Sequence, residues 1–165
     1  MQISKMRKVV SNTTPIISLL KVNKLEVLKE LYSEVFILNE VYREIEAGKN
    51  KEYYVDLTKI EWIKIVKIQN EKALLFFLDL DKGEAEAIVL ANEIGADLII
   101  LDETLGRFHA KHIGLKVTGT IGILLKAKEN GIIEFIKPIL NELIEKEIWL
   151  SEKLIKQALV KASEN

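Results

Sequence analysis

Four positions stand where an apolar run gives way to a helix. Asn12 follows the strand-like run Lys8–Ser11, and Glu44 sits on the helix that follows Val35–Leu38. Glu84 opens a helix that begins at Lys82, and Asp102 follows Leu98–Leu101, with Glu103 directly after it. In an open parallel sheet the carboxyl ends of the strands share one edge, and sites form there. Carboxylates gathered at such an edge repel one another unless a cation stands between them. The pattern predicts a divalent-metal site. Asn12 sets its quality, because an amide carbonyl can ligate but brings no charge and cannot act as a base.

Helix geometry sorts the other acids. Glu84 and Glu86 point roughly 200° apart at about 100° per residue, so they do not ligate one ion together. Glu84 shares its face with Ala87, Ile88 and Ala91, and a carboxylate on an apolar face needs a partner or an ion. Glu84 is thus the functional candidate, and its place in a capping box, Asp81-Lys82-Gly83-Glu84, is the lesser alternative and compatible with it. Glu86 is expected to be solvated. Glu40 and Glu44 lie one turn apart, and Glu40 is accounted for by the helix dipole. Glu44 lies deeper and is the candidate ligand, against the alternative of a solvated helix face. Asp102 fits either a ligand or a turn residue. Arg107 and Lys111 share a helix face close to this edge, suited to phosphate groups or simply to solvent. His109 and His112 match half of a zinc set, with no third ligand evident.

The elements that must position these residues follow from periodicity and punctuation. Pro15 suits the first turn of a helix with Thr14 as N-cap. Leu25, Leu28 and Leu31 predict a helix over 24–31. Asn39 is expected to cap the next helix and Gly48 to end it. Residues 49–61 carry no clear signal, and β-branched and aromatic residues predict a strand over 62–68. Further helices are predicted over 82–94 and 104–112, then a short strand at 116–117. Thr120 is expected to cap a helix running to Glu129, and helices at 138–146 and 151–162 complete the chain. Strands alternating with helices predict an α/β fold with a parallel sheet.

Composition bounds the rest. The 165 residues are 48% hydrophobic and 30% charged, which is globular and enough for a sizeable core in a single domain, residues 1–165. A net charge of −1 gives no global case for nucleic acid, although a local basic edge fits within a neutral total. The absence of cysteine excludes disulfides and thiolate metal sites. No stretch approaches the roughly 18 apolar residues of a membrane span. The segment Met1 to Met6 lacks the apolar region of a signal peptide, so a cytoplasmic protein is the expectation. Leu143, Ile144, Ile148, Trp149 and Leu150 in the C-terminal helices suit either the core or a homodimer contact.

Four stretches, in order, carry a resemblance. They are Val9-Val10-Ser11-Asn12-Thr13-Thr14-Pro15-Ile16-Ile17, Asp81-Lys82-Gly83-Glu84-Ala85-Glu86-Ala87-Ile88, Leu101-Asp102-Glu103-Thr104-Leu105-Gly106-Arg107-Phe108-His109-Ala110 and Thr118-Gly119-Thr120-Ile121-Gly122-Ile123-Leu124-Leu125. The ordered set resembles the PIN-domain family, and specifically a branch of prokaryotic proteins related to the toxins of VapBC-type toxin–antitoxin pairs. It covers roughly residues 7–140, with helices 141–165 added beyond.

The resemblance implies a three-layer α/β/α sandwich around a parallel sheet, and Mg²⁺- or Mn²⁺-dependent hydrolysis of RNA. The family's first Asp falls on Asn12 and its later acids on Glu44, Glu84 and Asp102, with Glu103 as the alternative to Asp102. Thr13 or Thr14 takes the hydroxyl position beside the first acid. The implied function is a metal-dependent ribonuclease, with RNA and an antitoxin protein as partners. The departure at Asn12 supports an alternative, a silent PIN-like protein that binds RNA or a protein partner without cutting.

Overall fold

The central strand of the sheet, β1 (Lys8–Ser11), is apolar on both faces, and Val9 and Val10 are fully buried. A strand buried on both sides belongs in the middle of a parallel sheet with helices covering each face. The computed structural model describes residues 7–165 and builds that arrangement. The segment Met1 to Met6, read above for a signal peptide, lies outside the described residues.

Five parallel strands take the order β3-β2-β1-β4-β5, with β2 at Glu34–Leu38, β3 at Ile63–Val66, β4 at Leu98–Ile100 and β5 at Val117–Thr118. In register, Val10 stands opposite Phe36 on one side and Ile99 on the other. The chain moves outward from β1 through β2 to β3, then returns to β4 on the far side of β1. The carboxyl ends of β1 and β4 therefore flank the topological switch point, where an open α/β sheet forms its crevice. Asn12 and Asp102 are the residues just beyond those ends.

Eight helices cover the sheet among the described residues: α1 (Thr13–Lys21), α2 (Glu26–Leu31), α3 (Asn39–Glu46), α4 (Lys82–Glu93), α5 (Thr104–His112), α6 (Thr120–Glu129), α7 (Lys137–Glu145) and α8 (Glu152–Lys161). The helix α1 packs on α3 and α6, and α6 also meets α2 and α8. The helix α4 packs on β1, β2 and β4, and also on α5 and a 3₁₀ segment at Glu71–Phe77. With the sheet between these groups, the fold is the expected α/β/α sandwich.

Several local expectations shift. Asn12, not Thr14, is the N-cap residue of α1, and Pro15 is the third helical residue. A proline anywhere in the first turn costs no hydrogen bond, so it does not fix the start to one residue. Asn39 and Thr120 are the first residues of α3 and α6, with Leu38 and Gly119 at the cap positions. The Thr120 hydroxyl is spent on Asp102 rather than on its own helix. Residues 49–61 contain a short 3₁₀ turn at Leu57–Lys59, capped by Asp56. Glu86 is buried, contrary to expectation, and pairs with Lys82 at 3.7 Å. The helix α4 is covered by the sheet on one side and by the 3₁₀ segment on another, so it offers no broad solvated face over residues 84–91. Trp149, which suited the core as well as a contact surface, is 84% exposed.

Candidate active site

The capping box at the start of α4 forms as the sequence predicts. Asp81 is the N-cap, and its Oδ1 accepts a hydrogen bond from the Glu84 backbone N–H at 2.8 Å. The same cap holds Glu84 in the first turn with its side chain against the sheet, and the residue is 7% exposed. The Oε1 atom of Glu84 is buried without a hydrogen-bond partner, the single such side-chain atom among the described residues. An orphaned carboxylate oxygen costs about 1–3 kcal/mol or more. Burial, above all, pushes the Glu84 carboxyl up to about 7. The Asp81 side chain and the negative charge of Glu103 push in the same direction, and the Asp81 backbone N–H offsets part of this.

One glycine makes room for this geometry, and a second shows what lies beside it. A Cβ on Gly106, in the first turn of α5, would stand 2.9 Å from Glu84 Oε1. Without a side chain there, α5 packs directly against the carboxylate. A Cβ on Gly83 would stand 3.5 Å from Asp81 Oδ1 and 3.7 Å from Asn12 Oδ1. The Asn12 amide therefore lies against the first turn of α4. Asn12 is 8% exposed, and its side chain does not cap α1. Its backbone N–H donates to the Ile100 carbonyl at 3.2 Å, which ties the end of β1 to β4.

Asp102 is engaged within the chain. Its Oδ1 accepts from the Thr120 backbone N–H and its Oδ2 from the Thr120 hydroxyl, both at 2.7 Å. Asp102 thus fastens the end of β4 to the start of α6, and Gly119 permits the approach. A Cβ on Gly119 would stand 2.7 Å from Asp102 Oδ1. Glu103, the N-cap residue of α5, makes no side-chain cap and stays exposed. Its charge is felt at Glu84, so of the adjacent pair Glu103 is the one electrostatically joined to Glu84.

The remaining candidates divide. Glu44 is exposed on α3, and no hydrogen bond or ion pair to it occurs among the described residues. Thr13 is buried at the start of α1, and Thr14 is exposed beside it. Arg107 turns inward, and its Nη1 donates to the Leu101 carbonyl at 2.9 Å, bracing the strand end. Lys111 remains exposed on α5. His109 bonds Asp79 at 2.8 Å, while His112 stacks on Phe108, so the two imidazoles serve different neighbours. As the side chains stand, no three Asp, Glu or His residues among those described converge on one point. Around Glu84, Asp81 caps its helix, Asn12 lies against Gly83 of the same turn, and the charge of Glu103 is felt.

Sequence reasoning treated Asp81 only as a cap and passed over Gly83 and Gly106. A glycine inside the first turn of each of two helices, both following a strand or loop that ends in acid, was the available signal. Helix interiors disfavour glycine unless something must come close.

A family model described as a PIN domain matches residues 8–164. The chain belongs to the PIN-domain family. A comparison with curated proteins finds no match. PIN domains are in general nucleases and typically depend on a divalent metal. The donor set here fits such an ion. A buried, unpartnered carboxylate oxygen, whose proton affinity is raised by two nearby acids, is a group that a cation satisfies.

Proposed function

We propose that this PIN domain is a metal-dependent ribonuclease that hydrolyses RNA phosphodiester bonds, centred on Glu84. The observation that carries the reading is the orphaned Oε1 of Glu84 at the switch point of the sheet, beside Asn12. Mg²⁺ or Mn²⁺ would be held by Glu84 and Glu103, with Asn12 as a neutral carbonyl ligand. Asp102 and Glu44 complete the expected set. Asp102 retains lone pairs beyond those used on Thr120, and Glu44 is free to turn on an exposed helix. When bound, the ion supplies Lewis-acid activation of a water and neutralises the oxygen leaving phosphorus.

The chain's own residues set the conditions for that chemistry. Glu84 holds a proton near neutrality in the absence of a cation and must release it to ligate. Asn12 contributes a dipole and no charge, which lowers the affinity for a second ion. Thr14, exposed beside Asn12, and Lys111, exposed on the helix that follows Glu103, contact the substrate backbone. Arg107 acts through the Leu101 carbonyl, keeping the β4 end in place. A toxin role, with an antitoxin as partner, is the finer form of the same reading. It accords with the resemblance to VapC-type toxins.

A second reading is favoured by the same Asn12 and by the engagement of Asp102 with Thr120. Under it the protein binds RNA or a protein partner without cutting. Calorimetric titration with Mn²⁺ separates the two. One site in the parent, lost in Glu84→Gln, with RNA cleavage that Glu84→Gln abolishes, supports the nuclease. Absence of binding at millimolar Mn²⁺ and of cleavage supports the silent protein. Asn12→Asp is expected to tighten Mn²⁺ binding at least tenfold, and an unchanged affinity would remove Asn12 from the ligand set.

A further inference from the structure

Glu86 is a buried carboxylate to which the fold gives no structural task. The residue is 8% exposed. Among the described residues no hydrogen bond reaches its side chain, and its one ion pair is to the exposed Lys82 ammonium at 3.7 Å. A carboxylate offers about four lone-pair sites, so most of this acceptor capacity is unused. Glu86 and Lys82 both line a cavity of about 280 Å³ whose apolar walls are Leu38, Ile68 and Leu74. Leu38 ends β2, so the cavity lies at the carboxyl edge of the sheet. It stands on the opposite side of α4 from Glu84, about 10–12 Å away by the width of a helix.

We propose that this cavity reads a guanine base of the RNA strand, with Glu86 accepting from its N1–H and N2–H and Lys82 donating to its O6. The inference rests on the nuclease reading for its substrate class and adds the base that flanks the cleaved bond. Guanine alone presents two adjacent donors on its Watson–Crick edge. Adenine and cytosine set a ring-nitrogen acceptor beside their amino group, and uracil sets a carbonyl on each side of its N–H. Each of those three turns a lone pair toward a carboxylate. The ammonium beside Glu86 completes the match, because O6 adjoins N1–H. Single-stranded RNA bases are read on this edge, and a matched pair of bonds discriminates strongly.

Size and charge agree with a single base. The volume lies at the lower end of small-ligand sites, about 300–1,000 Å³, which leaves no room for a folded RNA element or a protein segment. Three cations and three acids line the cavity, so a neutral base is not repelled. Arg43 is engaged by Glu40 at 2.7 Å. Lys67, exposed at the same cavity, has no ion pair among the described residues and is assigned to the adjoining phosphate.

Fluorescence anisotropy in chelator, where no strand is cut, tests the assignment. The probes are labelled oligouridine strands carrying one central guanosine, inosine or adenosine, beside the unsubstituted strand. The guanosine strand is expected to bind at least about tenfold tighter than the adenosine and uridine strands. Inosine lacks the N2 amino group and should fall between. Glu86→Gln should bring all four strands to similar affinity with an unchanged melting temperature. Lys67→Ala should weaken all four alike, and Glu84→Gln should keep the preference. A parent that binds no strand, or binds guanosine and adenosine strands equally, would overturn the proposal, as would a preference that survives in Glu86→Gln. Equal binding of inosine and guanosine strands would overturn it without any variant, so the test stands even where Glu86→Gln does not fold. Free guanosine monophosphate binding as tightly as the guanosine strand would make this a nucleotide site and overturn the strand assignment. The nuclease reading fails separately. No Mn²⁺ binding and no cleavage, beside an intact guanosine preference in chelator, would remove the nuclease and support the base site.

Discussion

Glu84 and Glu164 are the same residue type, both buried, and their surroundings drive them in opposite directions. At Glu164 burial by itself would raise the carboxyl, but the N–H groups of Ile136 and Lys137 and the Lys128 ammonium outweigh it, and the group sits below the usual range. Its Oε2 accepts from Ile136 at 2.8 Å and from Lys128 at 2.9 Å, and its Oε1 accepts from Lys137 at 2.9 Å. Glu164 is therefore finished, since every oxygen has a donor and the start of α7 has its cap. Glu84 has an acid on either side, no cation and one oxygen with nothing to bond. A carboxylate satisfied within the chain stabilises the fold, and one left wanting is available to a ligand. The difference between the two regions is thus a difference between structure and function that residue type alone does not reveal.

The contrast is broken most directly with metal and pH. Saturating Mn²⁺, at about 100 times its dissociation constant, should stabilise the parent by about 2.7 kcal/mol. Glu84→Gln should gain nothing, as thermal melts would show, whereas Glu164→Gln should respond like the parent. In chelator the two acids predict opposite slopes. Glu84 is raised from 4.5 to about 7, so the folded chain holds more protons than the unfolded one between those values. Its contribution is fully present below about pH 4.5 and is lost as pH rises through 7. Glu164 is lowered, so its contribution is present above its unfolded value and is lost as pH falls through its folded value. Urea titrations across this range should show Glu84→Gln flattening the neutral limb and Glu164→Gln flattening the acid limb. A parent whose stability does not fall between pH 5 and 7 in chelator would remove Glu84 from its special position.

Smaller effects sharpen the same comparison. Glu164→Ala strips two N–H groups of their acceptor and leaves the part-buried Lys128 ammonium with the Ala162 carbonyl alone, and should cost about 1–3 kcal/mol in urea unfolding. Gly119→Ala forces a methyl against Asp102 and should cost about 1–3 kcal/mol through displacement of the Thr120 contact. Amide protection at the start of α6 would report that displacement. Glu40 and Arg43 form an exposed pair at 2.7 Å on α3. Arg43→Ala should change stability by less than about 0.5 kcal/mol, which sets the floor against which the buried acids are measured.

Much of the architecture was legible because its signals are local. The capping box at Asp81–Glu84, the helix at Thr104–His112 and the parallel sheet all follow from periodicity and punctuation. The surroundings of α4 did not follow. Helical angle places Glu86 opposite Glu84, but the packed 3₁₀ segment closes over the far side, and the helix's own periodicity does not show that cover. The engagement of Asp102 was equally hidden. It depends on Thr120, eighteen residues on, whose N–H and hydroxyl both reach back to Asp102. Arg107 presents a cationic face on a helical wheel, yet folding turns it to the Leu101 carbonyl. In each case a tertiary partner, not the residue's own neighbourhood, decides its role.

The placement of β1 between β2 and β4 has a kinetic consequence. One neighbour of β1 is about 25 residues along the chain, and the other is about 90, as the pairs Val9–Val35 and Val9–Leu98 show. Closing the longer loop is slow, because the ordering of the intervening chain precedes the contacts that reward it. Until β4 docks, Asn12 has no Ile100 carbonyl to hold it, and Glu103 has no Glu84 to face. A ribosome that has released only the residues before β4 therefore carries a chain in which the end of β1 is not yet tied. The surroundings of Glu84 are therefore assembled late, only once the chain has returned from β3 to the far side of β1.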